Sequence, residues 1–294
     1  MQVYSDLNEN KDIAIALGYF DGVHLGHQAV IESAVNFAKA NNLKSAVITF
    51  KDHPCCYFYG VCPKYILSRN DRQEQIQRLG VDYLYELDFD EKLSLLSAED
   101  YLENVLIKHF SPKSISTGFN HSFGANKSGN VDFLKNNQSI YGYKYFEISP
   151  KRSGEEVISS TIIRNYLHNG EIEKANKMLG RSFQISGVVV EGQKIGRTLG
   201  FRTANIDYPT ELVDIPFGVY EVKTQYGKGI ANFGFRPTIS NEYKAVLETH
   251  ILDFSDDIYG ETINIDFIRM LRPEQKFTSI EALKQQIQAD IDSI

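Results

Sequence analysis

The chain has 294 residues, 42% hydrophobic and 23% charged, with a net charge of −7 at pH 7. Those figures exclude wholesale disorder, and the acidic balance argues against long nucleic acid as main partner, because phosphate backbones recruit Lys/Arg surfaces. No apolar run approaches the roughly 18–20 residues that span a bilayer, and the polar, acidic start MQVYSDLNENKD does not read as a secretory signal. Three cysteines (Cys55, Cys56, Cys62) make no disulfide framework in so long a chain, so unreactive thiols in a reducing cytoplasm are expected. The length suits one large domain or two ordinary ones.

In chain order, the first 180 residues alternate strand-like and helix-like segments. IAIALGYF (13–20) is a short apolar run ending in Gly-rich sequence, and HQAVIESAVNFAKANN (27–42) carries Val30, Ala34, Phe37 and Ala38 near helical spacing. SAVITF (45–50) and DYLYELDF (82–89) are candidate strands, and Ser97 with Asp100 forms a capping pair that opens a helix running to His109. SISTGF and YKYFEI are further strands; SSTIIRNYLHNG opens a helix with Ser/Thr caps and stops it at Asn169-Gly170. Such alternation implies an α/β layer on a mainly parallel sheet. After about residue 181, FQISGVVV, FGVYEVKTQY, GIANFGF, AVLETHILDF and TINIDFIRM are strands separated by turn residues. Only the end is helical, with Thr278 and Glu281 as a capping box before ALKQQIQADI. Closely spaced strands with one terminal helix suggest a small β-barrel. The expected domains are therefore 1–180 and 181–294.

The most informative segment is Gly18-Tyr-Phe20-Asp21-Gly22-Val-His24-Leu-Gly26-His27. It leaves a strand and enters a helix, so backbone N–H groups and the positive end of the helix dipole face an anion. Gly22 and Gly26 remove side chains where backbone would approach phosphate oxygens. His24 and His27, three apart, share one face of the first turn and can donate hydrogen bonds to a phosphate as charge builds on it. Neither the dinucleotide fingerprint G-x-G-x-x-G nor a P-loop is present.

This H-x-G-H segment resembles that of the nucleotidyltransferase superfamily, and more closely that of the bifunctional riboflavin kinase/FMN adenylyltransferases. Thr49-Phe50-Lys51-Asp52-His53-Pro54 resembles the family's T-F-x-P-H-P, with Asp52 where Pro is usual. Thr117-Gly-Phe-Asn120-His121-Ser-Phe123-Gly124 resembles its flavin-contacting loop, with His121 where an aromatic is usual. Ile158-Ser159-Ser160-Thr161-Ile-Ile-Arg164 matches I-S-S-T-x-I-R, whose hydroxyls and Arg suit the β- and γ-phosphates. The resemblance implies that Gly18, Phe20, Asp21, Gly22, Gly26, His53, Ser159, Ser160 and Thr161 bind ATP, that His24, His27 and Arg164 act in adenylyl transfer, and that Asn120 and Phe123 bind flavin.

In the second domain, Gly192-Gln-Lys194-Ile-Gly196-Arg-Thr-Leu-Gly200-Phe201-Arg202-Thr203-Ala204-Asn205 reads as a long Gly- and base-containing turn. It resembles the riboflavin kinase loop ending G-F-P-T-A-N, with Arg202 in place of Pro. The resemblance implies that Gly192, Gly196 and Gly200 lie at ATP, that Thr203 and Asn205 help hold Mg²⁺, and that Glu248 in VLETHILDF is the catalytic base. Strand alternation puts Val246, Glu248 and His250 on one face.

The expected protein is a cytoplasmic enzyme that phosphorylates riboflavin to FMN with ATP–Mg²⁺ and then transfers AMP from ATP to FMN, giving FAD and pyrophosphate. Its partners are the small molecules riboflavin, FMN and ATP, with no nucleic acid or membrane, and a homo-oligomer is left open. Asp52, His121 and Arg202 motivate one alternative, a chain that retains only one of the two activities; a second alternative is a non-catalytic flavin-binding regulator, against which the intact His24, His27, Arg164, Thr203, Asn205 and Glu248 argue.

Overall fold

The structure is a computed structural model that describes residues 1–7, 10–192, 201–237 and 243–294. The chain forms two compact units, Met1–Pro63 with Arg69–Ser159, and Lys64–Ser68 with Ser160–Ile294.

The first unit is built on six parallel strands: β1 (Gln2–Tyr4), β2 (Ile13–Leu17), β3 (Lys44–Phe50), β4 (Tyr83–Leu87), β5 (Ser114–Gly118) and β8 (Lys144–Ile148), the short hairpin β6 (Ser122–Phe123) and β7 (Gly129–Asn130) lying outside the sheet. Their order is β1-β4-β3-β2-β5-β8. Every residue of β2 is buried, as a parallel strand covered on both faces requires. Helix α1 (Leu25–Ala40) covers one face, burying Val30, Ile31, Ala34, Val35 and Ala38. The other face packs Ile13, Ile15 and Leu17 against Leu102, Leu106, Phe110 and Leu134. The chain steps from β2 to β3 on one side and later returns to β5 on the other. The C-terminal end of β2 is therefore the topological switch point, where open α/β sheets bind ligands.

Local signals largely hold. Ser97 caps the helical stretch by accepting from the Asp100 N–H, and donates to its carboxylate at 2.6 Å. That stretch passes through a π-helical segment, Tyr101–Ile107, before ending at Phe110. Several helices escaped the sequence reading, among them α2 (Pro54–Tyr59), α3 (Arg69–Arg78) and α4 (Val131–Tyr141). The expected free thiols at Cys56 and Cys62 are instead joined in a disulfide; Gly60, left-handed at φ 66°, turns the chain back after α2 and brings the two Cα atoms to 4.4 Å.

The second unit opens with α5 (Ser160–His168) and α6 (Ile172–Leu179), after the two-residue strands β9 (Arg152–Ser153) and β10 (Glu156–Val157) have closed the first. Six antiparallel strands follow: β11 (Phe183–Val188), β12 (Ala204–Asp207), β13 (Gly218–Thr224), β14 (Gly227–Pro237), β15 (Tyr243–Ile251) and β16 (Thr262–Pro273). Their order is β11-β16-β13-β14-β15-β12. A bridge from Val190 to Asn205 brings the two edges together, so the sheet curls into a barrel. Asn176 on α6 ties that helix to the barrel, donating to the Phe267 carbonyl at 2.8 Å and accepting from the Phe183 N–H at 2.7 Å. The terminal helix α7 (Ile280–Asp292) is capped by Ser279 rather than the expected Thr278; the Ser279 hydroxyl accepts from the Ala282 N–H. A second departure is β12 itself, which occupies the end of the segment read as a turn.

Candidate active sites

The first candidate site grows from the end of β2. Phe20 (φ 61°), Gly22 (φ 80°) and Val23 (φ 39°) all adopt left-handed backbone, and the side chains of Phe20 and Val23 are buried, so packing holds the turn in a conformation that non-glycine residues disfavour. Glycine is needed here for close packing as well. A Cβ on Gly18 would meet the Phe20 ring at 2.9 Å, and one on Gly26 would meet the His24 ring at 3.1 Å.

His24 is the N-cap of α1. Its Nδ1 accepts from the His27 N–H at 3.2 Å, and the residue is only 5% exposed. An accepting Nδ1 carries no proton, so the neutral ring holds its proton on Nε2. The sequence argument treated both imidazoles as donors; the capping bond makes Nε2 the donating atom of His24. The His24 and His27 rings stack with centroids 3.5 Å apart and planes 17° apart, and Phe20 meets His27 edge-on at 5.4 Å.

His53 repeats the device. It caps α2, its Nδ1 accepting from the Cys55 N–H at 3.1 Å, which again places the proton on Nε2. Its ring meets Tyr19 edge-on at 4.8 Å, and the Thr49 hydroxyl donates to the Tyr19 carbonyl at 3.0 Å. The loops after β2 and β3 are thus joined. Asp21 is buried beside them.

The loop after β5 carries Asn120 and Phe123. Asn120 is exposed. Phe123 is half-buried in an aromatic cluster with Tyr101 (5.4 Å), Phe133 (5.8 Å) and His121 (5.7 Å, stacked), over Gly129, where any Cβ would collide with its ring. Burial pushes His121 down to about 4, and its Nε2 is enclosed with no hydrogen-bond partner among the described residues. The imidazole therefore replaces the usual aromatic as a neutral ring.

Ser159 closes the first unit. Ser160 and Thr161 form the first turn of α5, and the Arg164 Nε one turn later donates to the Lys64 carbonyl at 2.7 Å.

The second candidate site lies on the barrel. Asn205 on β12 stands directly opposite Glu248 on β15, and Glu248 stands directly opposite Asn232 on β14. Three polar side chains therefore form one row across three strands. On the other face of β15, Leu247, Thr249 and Ile251 point into the core, as the alternation predicted. The Asn205 carboxamide is packed against Gly192, where a Cβ would come within 2.5 Å of it, and its Nδ2 donates to the Thr203 carbonyl at 3.3 Å. Gly196 and Gly200 lie outside the described residues.

A cleft of about 140 Å³ is lined by Thr203, Asn205, Thr249, Phe254, Asp257 and Tyr259, with Val189 and Ile258 adding apolar wall. The Thr249 hydroxyl is buried with no partner among the described residues. Arg202, which replaces the usual Pro, donates to the Ser255 carbonyl, and His250 contacts the Arg202 carbonyl at 2.7 Å. One wall of the cleft is thereby tied to the Thr203–Asn205 segment. Sequence reasoning assigned no site role to Tyr19 or Thr249: Tyr19 acts through contacts between two loops, and the place of Thr249 in the cleft is visible only once the strands are paired.

Comparison with known proteins assigns a family to each part of the chain. The FAD synthetase family profile matches residues 6–162 and the riboflavin kinase profile matches residues 179–294. A bifunctional riboflavin kinase/FMN adenylyltransferase from Listeria monocytogenes is 35% identical over 296 residues, covering 98% of this chain and 91% of the relative. One from Bacillus subtilis is 34% identical over 292 residues, covering 96% and 92%. A solved structure described as a macrolide-efflux protein from Streptococcus pneumoniae superposes with a TM-score of 0.89 at 31% identity, over 99% of this chain and 97% of that one. The chain belongs to the bifunctional riboflavin kinase/FMN adenylyltransferase family.

Proposed function

We propose that the barrel domain, residues 181–294, phosphorylates riboflavin to FMN, and that the α/β domain, residues 1–180, adenylylates FMN to FAD. The observation that carries the reading is the pairing of Asn205 with Glu248 across β12 and β15, a hard oxygen donor opposite a carboxylate, with Asn205 lining the cleft.

In the kinase step, Glu248 accepts the proton of the riboflavin 5′-hydroxyl as its oxygen attacks the γ-phosphate and the bond to the β-phosphate breaks, releasing ADP. Phosphoryl-transfer states are loose, so the base contributes about 10²–10⁴-fold and positioning the rest. Thr203 and Asn205 supply neutral oxygens, which suit a hard divalent cation such as Mg²⁺ held largely by substrate phosphates and water. No cluster of three His, Cys, Asp or Glu that could cage a metal occurs among the described residues. The packed Asn205 and the partnerless Thr249 hydroxyl fit an oxygen-rich ligand at this end of the cleft. When bound, the cation offsets charge on the phosphate oxygens.

In the adenylyl step, the FMN phosphate meets the α-phosphate of ATP, and two anions repel. The His24 Nε2–H, the His27 ring and the N-terminus of α1 offset that charge, with Arg164, Ser159, Ser160 and Thr161 assigned to the β- and γ-phosphates and His53 to the nucleotide. No protein nucleophile is required. Asn120 and Phe123 are assigned to the flavin. The same reading places the chain in the cytoplasm with riboflavin, FMN and ATP as substrates. Separate assays of FMN formation from riboflavin and FAD formation from FMN test it; a purified chain lacking either activity would overturn the bifunctional reading.

A further inference from the structure

Helix α3, RNDRQEQIQR, is polar except for Ile76, yet it buries Asp71, Arg72 and Gln75 along with that residue. Arg72 reaches a carboxylate, Glu86 on β4, that is itself fully enclosed; the Arg72 side chain is 4% exposed and the Glu86 side chain 0%. They meet at 2.9 Å, and Arg69 and Gln73 also donate to Glu86. Burying an ion pair costs several kcal/mol of desolvation per ion, and apolar residues of similar volume often serve stability as well or better. Stability therefore explains this pair poorly.

What the guanidinium holds explains it better. Arg72 donates to the Phe50 carbonyl at 2.8 Å, the Tyr19 carbonyl at 3.3 Å and the Lys51 carbonyl at 3.4 Å. These acceptors lie where the chain leaves β2 and β3, where ladder bonding stops and carbonyls need other donors. The guanidinium also sits 4.6 Å from the centre of the Tyr19 ring, which lies nearly perpendicular to the His53 ring at 4.8 Å. A fork of rigid donors can hold two loops in one geometry; a flexible ammonium cannot.

We propose that Arg72 is a positioning residue for adenylyl transfer: it locks the loop after β2 to the loop after β3 and, through Tyr19, sets the ring of His53. Glu86 keeps the buried charge neutral while the guanidinium acts on the loops. The inference rests on the adenylyltransferase reading of the first domain.

The test uses the full chain. Arg72→Lys keeps a cation beside Glu86 and loses the fork. It is expected to lower kcat for FAD formation from FMN about 10- to 100-fold, with KM for ATP within threefold and riboflavin phosphorylation within twofold of wild type. Because Arg72 acts through His53, Arg72→Lys combined with His53→Ala is expected to be no slower than His53→Ala alone; a merely structural role gives multiplying effects. Should Arg72→Lys fail to fold, as judged by circular dichroism, Tyr19→Leu breaks the same chain of contacts at a less buried residue and carries the same expectations. Wild-type kcat in the folded variant, or effects that multiply with His53→Ala, overturn the inference while the adenylyltransferase reading stands. A wild-type chain that makes no FAD from FMN overturns that reading and the inference with it.

Discussion

His24 combines two roles that substitution can separate. Its Nδ1 caps α1 by accepting from the His27 N–H at 3.2 Å, and its Nε2 is the proposed phosphate donor. His24→Asn keeps a good cap, because the Asn side-chain oxygen accepts the same N–H, and removes the ring donor. His24→Ala removes both. Losing a cap costs about 1 kcal/mol, which lowers the melting temperature of a domain this size by about 2–4 °C. Losing one preorganised donor to a developing phosphate charge costs about 10²–10³ in rate. The expected outcome is that His24→Asn melts within about 1 °C of wild type yet forms FAD from FMN about 10²–10³-fold more slowly, while His24→Ala shows the same kinetic loss and the lower melting temperature. Thermal melts followed by circular dichroism and steady-state FAD synthesis read the two effects independently. His24→Asn with wild-type FAD synthesis would refute the donor role; His24→Asn as unstable as His24→Ala would refute the cap.

His121 predicts a pH dependence. Its folded value of about 4 lies below the ordinary 6.5 because burial disfavours the charged ring. The unfolded chain therefore binds the proton first, so this contribution is full above pH 6.5 and is lost as pH falls toward 4, at most about 3 kcal/mol. His121→Phe keeps a ring against Phe123 and should weaken the loss of urea stability between pH 7.5 and 5; equal losses in both proteins would count against the burial argument. Ser279→Ala should cost about 1 kcal/mol in urea unfolding by removing the α7 cap, whereas Thr278→Ala should change stability by less than about 0.5 kcal/mol. Excess EDTA should stop riboflavin phosphorylation and Mg²⁺ should restore it; undiminished FMN formation in the chelator would remove the metal role assigned to Thr203 and Asn205.

The parts of the molecule legible in the sequence are those written in local pattern. The apolar run 13–17, the glycines around His24 and the periodic face of α1 each report their own surroundings, and together they place the first site at a strand end. The pairing of Asn205 with Glu248 is a matter of register between strands over forty residues apart, which no local pattern encodes, so β12 read as a turn. Helix α3 was missed because it buries polar residues, and amphipathic periodicity detects only apolar ones. His53 and His24 each cap a helix through Nδ1 while being assigned to a nucleotide site; the ring has two nitrogens, and each role needs only one.

The central claim is that one chain holds two independent sites. The direct measurement is chromatography of products over time from riboflavin, ATP and Mg²⁺, with wild type, Glu248→Gln and His27→Ala compared. Wild type should accumulate FMN before FAD. Glu248→Gln should make FAD only when FMN is supplied, and His27→Ala should stop at FMN. Loss of both products in either variant, with the protein still folded, would contradict the two-site account.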